Sequence, residues 1–213
     1  MKTALVTGGT RRLGRAIADR LRADGWRVLA SSHRADAGAD VVADLAAPMG
    51  AAKLYAEALR ILGGNPPDAL VNNAALFTGD DAAVEAVNLE SPKKLTTLMA
   101  GREVGRGVVV NILDAVVLSQ LSQSSQASPR YAATKRALHE FTANAAALFA
   151  DTLRVNAVAP GPVFAPEGVH EKAAATPLGH PSAEAVADAV AFLLSAESTT
   201  GCTIPVDGGQ HLL

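Results

Sequence analysis

Apolar positions along this chain fall into two alternating rhythms. Short apolar runs appear at Ala4-Leu5-Val6, Val28-Leu29-Ala30, Val41-Val42, Ala69-Leu70-Val71, Val108-Val109-Val110, Val155 through Val158 and Ile204 to Val206. Between them lie longer stretches of helical period: Leu13 to Ala23, about Gly50 to Leu62, Ala82 to Ala100, Tyr131 to Ala150 and Ala183 to Ser195. A strand covered on both faces carries no polar alternation, whereas a helix packing one face repeats near 3.6 residues. This order predicts a parallel sheet with helices on both faces, a doubly wound, Rossmann-type α/β fold. No internal repeat or linker divides the chain, so residues 1–213 read as a single domain. Two segments are irregular: Ser119 to Arg130, rich in Ser and Gln, and Pro160 to Pro181, with five prolines and three glycines. Both follow strands, and ligands of such sheets sit outside the strands' carboxyl ends, so both are expected to border a ligand site.

Composition narrows the classes. Hydrophobic residues make up 49% and charged residues 19%, the balance of a globular protein. A formal net charge of -2 sets up no field for nucleic acid or an anionic membrane, and 4% aromatic residues leave little for base stacking. No apolar stretch approaches the ~20 residues of a membrane span, and Met1 to Thr7 runs straight into a strand, so a cytoplasmic location is expected. The single cysteine, Cys202, reads as a small hydrophobe in a reducing compartment, and no metal-ligand cluster is apparent.

The first strand ends in Thr7-Gly8-Gly9-Thr10-Arg11-Arg12-Leu13-Gly14 and enters a helix. Glycines there permit a tight turn, and the helix N-terminus offers N–H groups to a pyrophosphate. The second strand ends Ser31-Ser32-His33-Arg34 without the carboxylate that would hold a ribose 2′-hydroxyl. Arg11, Arg12 and Arg34 are therefore expected to surround a 2′-phosphate, which makes NADPH the expected cofactor; a solvated basic surface is the alternative. His33 is placed beside the adenine. Asp44, after the third strand, is assigned either to the adenine edge or to a helix start.

Tyr131 and Lys135 lie four apart in a helical stretch and share a face. A phenol titrates near ~10, and an ammonium beside it is expected to lower that value by ~1–3 units, making Tyr131 a proton donor for carbonyl or imine reduction. Y-x-x-x-K alone also arises as a surface pair. Taken with the Thr7–Gly14 turn, Asn72-Asn73-Ala74, Asn88, Tyr131-Ala132-Ala133-Thr134-Lys135, Asn156 to Gly161 and Asp207-Gly208-Gly209, the chain resembles the short-chain dehydrogenase/reductase family over essentially its whole length. The resemblance implies that Asn73 and Ala74 line the cofactor with Gly8, Thr10, Leu13 and Gly14. It also implies that Asn88 holds a water of a proton relay and that Pro160, Gly161 and Val163 meet the nicotinamide. Lys135 would grip the nicotinamide ribose as well.

Within the family the chain is most similar to the pteridine reductase and dihydromonapterin reductase branch. Arg12 stands where most relatives carry a third glycine, and Asn111-Ile112-Leu113-Asp114-Ala115 puts a carboxylate where most carry serine. Phe77 falls where that branch stacks the pterin ring, although a core position is its plainer reading. His33-Arg34 and the ending Asp207-Gly208-Gly209-Gln210-His211-Leu212 are similar too. The implied activity is reduction of a dihydropterin-like C=N bond, with Asp114 and Tyr131 relaying protons and Phe77, Asp114 and Tyr131 meeting the substrate. The alternatives are a carbonyl reductase (ketone, quinone or acyl ketone) and a non-catalytic NADPH-binding protein. The Asp114–Tyr131 stretch is longer than the family pattern, which offers Leu118 or Ser119 as rival positions for Asp114. The Asn73–Asn88 stretch is shorter, and Ala75 replaces a serine frequent in the pterin branch. The resemblance further implies a homotetramer or homodimer built on the helices around Ala82–Ala100 and Tyr131–Ala150.

Overall fold

Valine, leucine and alanine in unbroken runs leave no wet face, so each such run is buried on both sides. The computed structural model, which describes residues 1–35, 38–103, 105–119, 128–164 and 176–213, has seven parallel strands: β1 (Thr3–Val6), β2 (Arg27–Ser32), β3 (Val41–Val42), β4 (Ala69–Asn72), β5 (Gly107–Ile112), β6 (Leu153–Pro160) and β7 (Thr203–Val206). Their order across the sheet is β3-β2-β1-β4-β5-β6-β7. Val6 is in register with Ala30 and Val71, and Asn72 with Asn111, so the carboxyl ends of the central strands open on one edge. The order reverses between β1 and β4, the place where such sheets leave a crevice for a ligand.

Side chains alternate across the sheet with period two. Ala4, Val6, Ala69, Val71, Val108 and Val110 pack on one side against Ile17, Ala18 and Leu21 of α1 (Arg12–Ala23) and Val186, Val190 and Leu193 of α6 (Ala183–Ser195). Leu5, Leu70 and Val109 pack on the other against α2 (Gly50–Ile61), α4 (Ser91–Ala100) and α5 (Pro129–Leu148). The predicted doubly wound architecture is the one observed.

The helix expected across Ala82–Ala100 is in fact three pieces: α3 (Asp81–Glu85), a π-helical turn over Ala86–Glu90, and α4. A widened turn inside a continuous helix re-aims one side chain, and here it carries Asn88. The long helix begins at Pro129 rather than Tyr131, because Ser128 Oγ accepts from Tyr131 N at 3.1 Å and proline suits the first helical position. Arg154 is buried beneath the end of α6, donating to Leu193 O at 2.9 Å, Leu194 O at 3.0 Å and Thr199 O at 3.0 Å. It thereby caps carbonyls that the last turn leaves open. Among the described residues, no helix is long and apolar enough to cross a membrane. Most of the Ser/Gln stretch (120–127) and half of the proline-rich stretch (165–175) lie outside the described residues.

Candidate active site

The turn after β1 is built around Asn73. Its side-chain amide donates to Thr7 O at 2.9 Å and Gly8 O at 3.3 Å, while Thr7 Oγ1 accepts from Asn73 N and Ala74 N, each at 2.9 Å. A Cβ on Gly14 would collide with Gly8 O and come within 2.5 Å of Asn73 Nδ2, so the helix presses onto the turn only because residue 14 is glycine. Gly8 supports the turn from a left-handed φ of 62°. α1 then starts with no side-chain cap and no acidic residue in its first turn. An uncapped, carboxylate-free helix start leaves backbone N–H groups that could receive an anion such as a dinucleotide pyrophosphate.

Around that start, Arg11 and Arg12 are exposed, as are His33 and Arg34 beyond β2; Thr10 and Leu13 are half-buried on the turn itself. Arg12 has φ of 47°, a left-handed conformation costly for a residue with a Cβ, and this explains why a glycine suits the position. Its guanidinium carbon lies 4.9 Å from the centre of the Phe164 ring, a cation–π contact across the mouth of the crevice. Asp44 lies two residues beyond the end of β3, and its Oδ1 accepts from Ala46 N at 2.9 Å in a local turn. The helix-start assignment fails, because the residue preceding α2 is Met49. Pro160 ends β6, and Gly161 and Val163 follow it half-buried, with Gly161 N donating to Val206 O at 3.0 Å.

The second group gathers beyond β4 and β5. Tyr131 Oη donates to Asp114 Oδ2 at 3.0 Å, and Asp114 Oδ1 accepts from Val116 N at 3.0 Å. The strand anchor therefore leads Asp114, rather than Leu118 or Ser119, to the phenol. The Phe77 ring packs at 4.9 Å from that of Tyr131, tilted by 54°, and is half-buried rather than in the core. Lys135 is buried with Nζ donating to Ile112 O at 2.8 Å, 5.7 Å from the centre of the Tyr131 ring. Asn88 is fully buried: it accepts from Leu76 N and donates to Leu76 O, both at 2.8 Å, and reaches Thr134 Oγ1 at 3.4 Å.

One electrostatic expectation is overturned. The phenol of Tyr131 is held well above its ordinary value, first by burial and then by the charge and hydrogen bond of Asp114. No lowering by Lys135 offsets this; its ammonium donates to Ile112 O, and burial depresses Lys135 itself to about 8 against the opposing charge of Asp114. At neutral pH the arrangement therefore keeps the proton on the phenol, against the Asp114 side chain, and makes Tyr131 a weaker acid than a free phenol for as long as that contact and its burial persist. Among the described residues, no three His, Cys, Asp or Glu side chains form a metal cluster.

Three contributors escaped the sequence reading. Phe164 lies in a proline-rich stretch with no period to mark it. Thr134 sits inside the Tyr131–Lys135 motif as an apparent spacer. Asn111 accepts from Asn72 Nδ2 at 2.8 Å and donates to Thr142 Oγ1 at 2.9 Å, a buried tie between two strands and α5. Only the oddity of asparagine in an all-apolar strand signalled it.

The short chain dehydrogenase family model matches residues 2–175. L-xylulose reductase from Bos taurus is 35% identical over 241 residues, covering 98% of this chain and 96% of the relative. Glucose 1-dehydrogenase 2 from Bacillus subtilis (strain 168) is 30% identical over 251 residues, covering 99% and 95%. A crystal structure of FolM alternative dihydrofolate reductase 1 from Brucella canis complexed with NADP matches with a TM-score of 0.87 at 31% identity, over 100% of this chain and 94% of that one. The chain belongs to the short-chain dehydrogenase family.

The depressed Lys135 carries a testable consequence for the cofactor-free protein. Between its folded value of about 8 and its ordinary 10.5, Lys135 is neutral when folded and protonated when unfolded, so its share of stability rises with pH in that window and is lost as pH falls through 8. Tyr131 acts oppositely: its share is complete below 10 and is lost as pH climbs toward its raised folded value. Urea midpoints of the wild type should gain on those of Lys135→Met between pH 8 and 10. Parallel profiles would refute the burial of the ammonium.

Proposed function

We propose that this chain is an NADPH-dependent reductase acting on a dihydropterin-like C=N bond. The observation that carries the reading is the hydrogen bond from Tyr131 to Asp114, 3.0 Å long, at a site flanked by the Phe77 ring. A carboxylate accepts only, so its natural substrate partner is an N–H donor such as the amidine of a pterin. When Asp114 accepts from such a donor, its hold on the phenol weakens and the Tyr131 proton is released toward a ring nitrogen. A lone carbonyl offers Asp114 nothing and leaves that proton held. Phe77 gives a flat bicyclic ring an aromatic neighbour.

NADPH supplies the hydride when bound; the C=N carbon receives it and the nitrogen receives the Tyr131 proton, which solvent then restores. The pyrophosphate would meet the Thr7–Gly14 turn, with Asn73 and Ala74 behind it. Arg11, Arg12 and Arg34 would take the 2′-phosphate, with His33 and Asp44 toward the adenine and Pro160, Gly161 and Val163 toward the nicotinamide. Lys135 and Asn88 would hold the ribose and the proton path. The likeness to a dihydrofolate reductase complexed with NADP supports both the cofactor and the substrate class. A second reading, reduction of a carbonyl compound, is favoured by the L-xylulose reductase and glucose dehydrogenase relatives.

Two measurements test these assignments. Arg34→Ala should weaken NADPH roughly ten- to a hundred-fold, the value of a charged hydrogen bond, and leave NADH almost unchanged. Wild-type affinities equal for the two cofactors in a fluorescence titration would remove the basis for NADPH. Asp114→Ser should depress kcat/KM for dihydrobiopterin or dihydrofolate at least about tenfold more than for a simple ketone, since only the former loses a charged partner. Brisk ketone reduction by a wild type inert toward every dihydropterin would transfer the case to the second reading.

A further inference from the structure

The chain does not end at β7 but turns back as a short hook, Asp207 to Leu213, that no step of the proposed reaction uses. Gly208 and Gly209, at φ of 62° and 84°, make the reversal, and Gln210–Leu212 form a 3-10 turn. Asp207 is 3% exposed, and both oxygens of its carboxylate accept hydrogen bonds, three in all. Oδ1 accepts from Gly209 N at 3.0 Å, and Oδ2 accepts from His211 N at 2.8 Å and from His211 Nδ1 at 2.7 Å. Because a carboxylate can only accept, Nδ1 carries the proton. Burial alone would raise the Asp207 pKa, but these N–H donors outweigh it and hold the group below its ordinary value.

The hook touches three parts of the site. Its 3-10 turn packs against Ala115–Val117, the turn that opens at Asp114. Asp207 backs Gly161 so closely that a Cβ there would lie 2.8 Å from Asp207 Cα. Gly208 O accepts from Leu178 N at 2.9 Å, Gly208 abuts Gly179 O, and Gly209 rests on Pro177. One buried carboxylate thus organises a contact with the Asp114 turn, with Gly161 beside the expected nicotinamide, and with residues 176–179. Of its three donors, two are backbone N–H groups that any residue supplies. Only the imidazole depends on a side chain.

We propose that His211 is a positioning residue for substrate: through Asp207 it fixes the hook, and through the hook it fixes the turn carrying Asp114 and the Pro177–Gly179 corner. The effect on substrate rests on the reading of Asp114 as the substrate's partner, while the mechanical link does not. His211→Ala deletes the imidazole donor. His211→Asn returns a side-chain N–H close to the Nδ1 position and serves as the conservative rescue. Full-length variants would be compared by amide hydrogen exchange and by steady-state kinetics with dihydrobiopterin and a simple ketone.

For His211→Ala, exchange should quicken at Val116–Leu118 and at Leu178, and the dihydropterin KM should rise about tenfold, the value of one charge-assisted bond. The NADPH Kd should move less than about threefold, because the helix start and the arginines are untouched and Gly161 keeps its own bond to Val206 O. His211→Asn should recover most of both effects. Unchanged exchange in those segments overturns the proposal. So does faster exchange across the whole chain that asparagine fails to reverse, since His211 would then be merely stabilising. If exchange responds as expected but the wild type turns over no dihydropterin, the positioning link stands and the pterin reading falls.

Discussion

A phenol pressed against a carboxylate in a buried corner sets the terms for the rest of this site. Both oxygens want the same proton, and burial penalises any second charge, so Tyr131 keeps its hydrogen and Asp114 holds it. Lys135 does not relieve the tension; burial pushes its own ammonium toward neutrality. On the proposed pterin reading, what releases the proton arrives with the substrate, as N–H donors that Asp114 accepts in place of the phenol.

The scaffold makes that corner by bringing strand ends into register. β4 and β5 are aligned through Asn72 and Asn111, and α5 is fastened to them twice, at Lys135 by its ammonium and at Thr142 by the Asn111 amide. Buried polar ties of this kind demand geometry that an apolar contact does not. The π-helical turn over Ala86–Glu90 adds the third wall, turning Asn88 inward to hold the Leu76 backbone just ahead of Phe77. Across the crevice, Arg12 accepts a left-handed backbone and leans on Phe164.

The fold was legible because two-sided burial leaves a plain trace: seven apolar runs became seven strands, each within a few residues of its expected place. The Tyr131–Lys135 pair was legible from its helical spacing, whereas Asn73 and Asp114 came from the family resemblance, the strand anchor choosing Asp114 over Leu118 or Ser119. What escaped was the consequence of packing. The direction in which Tyr131 is shifted depends on how deeply the phenol is buried and on its contact with Asp114, and no spacing encodes either. The widened helical turn at Asn88 leaves the period of the sequence almost unaltered, so the stretch reads as one helix. Phe164 and His211 lie in segments without period, and their roles come from partners far along the chain or from a reversal at Gly208-Gly209.

The account stands most directly on the state of one phenol, and the chain offers a clean way to read it. It has two tyrosines, Tyr55 and Tyr131, so in a Tyr55→Phe background tyrosinate absorbance reports Tyr131 alone. In the cofactor-free protein, with circular dichroism confirming the fold at each pH, Tyr131 should titrate above 10, and adding Asp114→Asn should bring the midpoint down. A midpoint below 10 in the presence of Asp114, or one that does not move when its charge is removed, would contradict the account.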